Sequence, residues 1–154
     1  LDALKLSDTG RRDEELVDCG LFGMRSGDWF AVISSGWDYM DHLDEKAAGR
    51  LSGGTESLFC YSDDTPMANV IASFQDGEEH WRVSYRCDTG HSTSGPVPAP
   101  FDGILDKLKR QQAEDSDADY LYEAVNTLGQ QLVGIRYDYF DAPSPDGIWA
   151  LERR

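Results

Sequence analysis

Positive charge is scarce in this chain of 154 residues, with 14 Lys plus Arg against 29 Asp plus Glu and a formal net charge of −15. Such a surface repels nucleic-acid phosphate and anionic membrane, and it attracts basic protein surfaces at long range. Long apolar runs are also missing. No segment approaches the ~20 residues that a membrane-crossing helix needs. No basic-then-apolar leader opens the chain, although Leu1 rather than Met stands first, so a removed leader stays open. Cysteine is sparse as well. Cys19, Cys60 and Cys87 have neither C-x-x-C spacing nor a Cys/His knuckle. A reduced, cytoplasmic protein is the simplest expectation.

Catalytic signatures are absent too. Gly-x-Ser-x-Gly does not occur. Gly20-x-x-Gly23 and Ser52-Gly53-Gly54 lack the Lys and the longer glycine pattern of a phosphate loop. Cys87 and His91 lie four residues apart, but nucleophile–base pairs normally meet through the fold rather than along the chain. Nothing here predicts an enzyme, a catalytic residue or a cofactor.

What is present is apolar material for a core: 40% hydrophobic residues, including six Phe, four Trp and seven Tyr. That excludes global disorder and suits one ordinary domain spanning 1–154. Residues 1–18 are polar and read as an arm, with a short helix over Asp13–Cys19. Asp28–Ser35 is aromatic and β-branched on both faces, which predicts a strand covered on both sides and central in its sheet. Asp41–Leu51 reads as a short helix with Asp41 as its cap, Asp44 and Glu45 at its positive end, and Gly53-Gly54 closing it.

Strands follow over Glu56–Ser62, Met67–Gln75 and His80–Arg86, with a tight turn at Asp76-Gly77. The last strand alternates cleanly, Trp81, Val83 and Tyr85 against His80, Arg82, Ser84 and Arg86, so one face should be wet. The Pro/Gly-rich stretch 88–100 reads as a linker between a strand-rich and a helical half. Phe101–Glu114 repeats apolar residues every three or four positions. A second such helix starts at Asp117, its cap, and ends at Gly134. The tail, from Ile135 to Phe140 and around Ile148–Leu151, suggests one or two more strands.

Strands followed by helices predict an α+β domain: a mainly antiparallel sheet of about four to six strands covered by helices. Trp29, Ile33, Val70, Val83, Leu105, Leu108, Leu121 and Leu128 are expected to share one core. The Asp-Trp-Phe-Ala-Val segment at Trp29 and the run from Asp117 to Asp138 resemble a group of small bacterial proteins of unassigned activity. The resemblance covers about residues 28–138. It implies a bacterial origin and a single domain, and supplies no functional residues.

Two clusters invite a metal reading and neither completes it. Asp115, Asp117 and Asp119 alternate like the start of a calcium loop, but Tyr120 stands where Gly is needed and Asn126 where a bidentate Glu is needed. Asp38, Asp41, His42 and Asp44, beside Trp37 and Tyr39, are local to one segment rather than convergent. No metal site is therefore expected.

The acid is concentrated in two stretches without Lys or Arg, Leu51–Trp81 and Gln111–Ile135. A strand of this length separates Asp63-Asp64 from Asp76–Glu79 by roughly 30 Å. One patch cannot hold both, so Asp76, Glu78 and Glu79 are expected to join Glu114, Asp115, Asp117, Asp119 and Glu123 in a face for a basic protein partner. The function expected is an acidic, non-enzymatic protein-binding module, an immunity- or antitoxin-like inhibitor of a basic partner such as a toxin. It would bind neither nucleic acid nor membrane and would be a monomer or small homo-oligomer. The alternative is a small-molecule-binding domain or enzyme with a pocket between sheet and helices, using His80, Arg82 or Arg86.

Overall fold

The computed structural model describes residues 4, 6–12, 21–34, 43–115, 117–136 and 148–153. Among the described residues, eight strands and three helices form an α+β arrangement with two four-stranded antiparallel sheets. The first sheet takes β1 (Leu6–Arg12), β2 (Leu21–Ser26), β3 (Trp29–Ser34) and β8 (Ile148–Arg153) in the order β1-β8-β2-β3. The second is a simple meander of β4 (Glu56–Asp63), β5 (Ala68–Gln75), β6 (Glu78–Arg86) and β7 (Gly90–Ser94). The helices are α1 (Glu45–Leu51), α2 (Pro100–Glu114) and α3 (Glu123–Val133), with a 3₁₀ turn at Tyr120–Tyr122 before α3.

Local chemistry explains the meander. Asp76 and Gly77 both have positive φ, 49° and 91°, as a two-residue primed hairpin turn requires. Asp63 organises the preceding turn by accepting the Thr65 N–H at 3.0 Å. Between Ser73 and Phe74 the β5–β6 register slips, which leaves His80 as the extra residue of a bulge. Gly95, at φ +70°, passes so close to the His80 carbonyl that a side chain there would collide with it.

The largest core lies between the second sheet and the α2–α3 layer. Ile71, Trp81, Val83 and Tyr85 of the sheet meet Phe101, Ile104, Leu108, Val125 and Leu128 of the helices, with Leu105, Leu121 and Cys60 half-buried at its margin. Each fully buried aliphatic side chain contributes about 1.5–3 kcal/mol. Gly134 closes α3 in the left-handed conformation at φ +74°.

The opposite face of that sheet carries α1, and α1 also touches the first sheet. Ala47 packs with Leu4, Leu21 and Leu151. Its neighbour Ala48 packs with Ala72 and Phe74. A seven-residue helix has little stability of its own. Here it is a thin spacer between two sheets, and its small side chains set the gap. A Cβ on Gly49 would stand 3.3 Å from the Gly77 carbonyl oxygen.

The structure corrects several expectations. Residues 6–12 are a paired strand rather than part of an arm, and 90–94, expected as linker, are the fourth strand of the meander. β3 is an edge strand of the described sheet, although Ile33 is buried on one face and Val32 packs into a core on the other. Asp44, not Asp41, caps α1, accepting the Ala47 N–H at 2.8 Å. Asp117 caps nothing: α3 starts from the 3₁₀ turn without a side-chain cap. The expected single core divides. Val83, Leu105, Leu108, Leu121 and Leu128 share one cluster, Val70 alternates with Ile71 on β5 and so faces the other side, and Trp29 and Ile33 lie on β3 of the first sheet. The helix expected at 13–19, the cluster Asp38, Asp41 and His42, and Tyr137, Tyr139 and Phe140 lie outside the described residues.

The tight fit of α1 generates a prediction. Gly49→Val should lower stability by about 1–3 kcal/mol through overpacking against the Gly77 turn, measured as a lower midpoint in urea. Gly53→Val serves as the control, because nothing lies within 4 Å of a Cβ placed there.

Candidate functional site

One end of the second sheet gathers carboxylates from several segments. The β4–β5 turn supplies Asp63 and Asp64, and the β6–β7 turn supplies Asp88. The segment from the end of α2 to the 3₁₀ turn supplies Glu114, Asp115, Asp117 and Asp119. Hydrogen bonds fix this grouping. The Tyr122 hydroxyl donates to Asp64 at 2.6 Å and lies 2.7 Å from the Ser62 hydroxyl. Tyr85, near the end of β6, donates to Asp119. Tyr120 donates to Asp115 at 2.8 Å, and Tyr61 to Asp63 at 2.9 Å.

Four phenols therefore each hold one carboxylate. An ionised carboxylate only accepts, so a neutral phenol is a fitting donor. One carboxylate and three of the phenols are shifted. The Asp117 backbone N–H and then the Tyr120 hydroxyl hold Asp115 below the usual carboxylate range. Burial and then Asp119 push the Tyr85 phenol up. Burial followed by Asp63 does the same at Tyr61, and Asp115 does so at Tyr120.

Two features show that the local rules of helix stability did not place this acid. Glu114 and Asp115 stand at the C-terminal end of α2, where the helix dipole disfavours negative charge, and no basic residue occupies the last turn. Two nearby cations are already engaged: Arg86 is bound to Asp88 at 3.0 Å, and Arg136 to Glu123 at 2.7 Å. Beneath the surface, Asn69 donates to the Tyr122 carbonyl at 2.8 Å, so the acidic end rests on a buried polar base rather than on a loop alone.

The expected acidic face is only partly assembled. Glu114, Asp115, Asp117, Asp119 and Glu123 do come together, and Asp63 and Asp64 join them. Asp76, Glu78 and Glu79 do not: they sit at the other end of β5, about 25 Å away for a strand of this length. There Asp76 accepts the Gly54 N–H at 3.0 Å, and Glu79 pairs with Arg82 at 2.7 Å. The signal that identifies the right partner is the twinned Asp63-Asp64 followed by a turn. What hid it is β7. With 88–100 read as linker, nothing in the residue pattern says to which end of the sheet the helices return.

The remaining candidates are otherwise engaged. The alternation Asp115, Asp117, Asp119 builds a turn: Asp115 accepts the Asp117 N–H at 3.0 Å, and Asp119 faces Tyr85. Cys87 donates to the Pro66 carbonyl at 3.4 Å, while His91 is packed between Tyr85 and Phe101, so the two form no nucleophile–base pair. Burial pushes the Cys60 thiol up to about 12, which suits a packing role. Arg82 lies on the α1 side, holding Glu45 at 2.7 Å, and not in the sheet–helix interface. That interface is filled by the core. A groove opens instead between α2 and α3, lined by Ile104, Lys107, Leu108, Thr127 and Gln131 with Pro100 and Gly103 at its rim.

Comparisons with protein-family models, with curated proteins and with solved structures find no match. The functional reading rests on geometry and charge.

The raised phenols imply an alkaline limb. A tyrosine that keeps its proton more tightly when folded contributes stability that is intact below the unfolded value of about 10 and is lost as pH rises above it. Stability measured by urea unfolding should decline above about pH 10, and Tyr85→Phe should flatten that decline. An equal slope in the variant would show that Tyr85 ionises alike in both states.

Proposed function

We propose that this chain is an acidic, non-enzymatic protein-binding module that docks a basic partner at the Asp63–Asp64 and Glu114–Asp119 end of its second sheet. The carrying observation is the gathering of carboxylates from three separate segments, each of several held by a tyrosine phenol. Fixed carboxylates lose little side-chain freedom on docking, and their summed field speeds the encounter with a cationic surface. Tyrosines beside the acid add the amphipathic contact area favoured at interfaces.

The natural biological version is an immunity- or antitoxin-like inhibitor from a bacterium, covering the cationic groove of a partner that otherwise handles nucleic acid. The acidic array then competes with phosphate for the same groove. Acid at the negative end of α2 fits this reading, because charge placed against the helix dipole serves something other than helix stability. The small-molecule reading has less behind it: Arg82 is committed to Glu45 and Glu79, and His80 sits exposed on a bulge.

The test begins with affinity capture from a native bacterial lysate at low and at high salt, followed by stopped-flow kinetics on the partner obtained. Glu114→Gln, Asp115→Asn and Asp117→Asn together should slow association roughly ten-fold and flatten its salt dependence. The matched triple variant Asp76→Asn, Glu78→Gln and Glu79→Gln should leave the rate within about two-fold. The reverse ranking would move the docking face to the other end of the sheet. Absence of any protein partner at both salt concentrations would reject the binding reading.

A further inference from the structure

Among the described residues, two buried side-chain polar atoms have no hydrogen-bond partner, Asn69 Oδ1 and His91 Nε2. Both flank Tyr85, Asn69 as its cross-strand neighbour on β5 and His91 as its neighbour on β7. Orphaned buried polar groups are rare enough to need a reason. For His91 the surroundings suggest one.

The His91 ring lies 4.8 Å from the Tyr85 ring and 5.8 Å from the Phe101 ring, centroid to centroid. The Leu121 backbone also holds it by a hydrogen bond. One imidazole thus touches β6, the start of α2 and the 3₁₀ turn. The titratable and charged groups facing it are Tyr85 from β6, Lys109 from α2 and Asp119 from the segment before the turn. β7 itself contributes no other titratable side chain.

The neutral ring fits this place and the charged ring does not. A proton on Nε2 creates a buried cationic donor without an acceptor, beside two aromatic rings. Burial, and to a smaller degree Lys109, hold the His91 pKa below the usual histidine value, against the opposing pull of the Leu121 backbone and Asp119. Asp119 is the one carboxylate among these neighbours, and it is the acceptor of the Tyr85 hydroxyl. A protonated His91 would therefore draw on the carboxylate that Tyr85 already uses.

We infer that His91 is a proton-operated latch on the acidic end of the second sheet. Neutral, it joins β7, the start of α2 and the 120–122 turn. Protonated, it leaves the aromatic pocket for Asp119, pulls that carboxylate out of its place against Tyr85 and loosens the turn that carries Tyr120 and Tyr122. Those residues hold Asp115 and Asp64, so mild acid disorganises the carboxylate array from beneath. The latch is a property of the free protein and stands whether or not the array docks a partner.

Nuclear magnetic resonance tests it on the intact chain. The His91 ring and the amides of residues 119–123 are followed from about pH 7.5 downward until the ring has fully titrated, with amide protection factors measured at each step. As His91 titrates, protection at Tyr120–Glu123 should fall about ten-fold or more. In His91→Gln, which keeps a donor but cannot titrate in this range, protection should not change with pH. Unchanged protection across the His91 titration would overturn the latch, and so would the same fall in His91→Gln. Asp119→Asn gives a second check: without the carboxylate that favours the imidazolium, His91 should titrate at lower pH than in the parent protein. No movement would remove Asp119 as the acceptor.

Discussion

Tyr122 fastens the helical layer to the second sheet at its acidic end. Its hydroxyl reaches Asp64 and Ser62 on the β4 side, and its carbonyl accepts from the buried Asn69 on β5. Its ring stands edge-on to Tyr85 on β6, at 6.1 Å. Neither α2 nor α3 has a side-chain N-cap, so tertiary contacts rather than local capping decide where α3 begins. Without the Tyr122 contacts, the turn before α3 would lose its register against the sheet, and the carboxylates at Asp64, Asp115 and Asp119 would lose their common geometry.

The far side of the sheet follows a different logic. There α1 separates two sheets with alanine and glycine, and polar bonds at both of its ends lock its position. Arg82 bridges Glu45 and Glu79 at one end. At the other, Ser52 donates to the Gly49 carbonyl and accepts the Gly77 N–H, each at 2.8 Å. The acids on this side are thereby used in holding the fold. At the opposite end the phenols hold carboxylates that face solvent, and among the described residues the acids there outnumber the cations paired with them. The two ends of one meander thus divide structural from unspent charge.

Much of this was legible in the residue pattern, and the gaps have physical causes. Strong period-two segments, the Asp76-Gly77 turn and the Gly134 cap each carry their own local signal, and all three are where the pattern places them. The α+β class follows from them. β7, Gly-His-Ser-Thr-Ser, carries no such signal because an edge strand needs few apolar side chains; its place comes from backbone pairing with β6. β1 is similar, set by its register with the distant β8. The acidic site was half legible. Charge density marks its members, but which turn joins which depends on the direction of return after β6, and that is a property of β7. In the residue pattern the tyrosines read as core material; their pairing with particular aspartates is a long-range fact for Tyr85 and Tyr122.

A chain so acidic could spread its charge evenly and be merely soluble. Instead, phenols position several carboxylates at one end, at the cost of ordering side chains against mutual repulsion. That arrangement depends most directly on the bond between Tyr122 and Asp64. A double-mutant cycle on urea unfolding, with Tyr122→Phe and Asp64→Ala separately and together, measures it. The expected coupling is about 1 kcal/mol or more. Single effects that simply add, within about 0.3 kcal/mol, would contradict the claim that this pair fastens the helical layer to the acidic end.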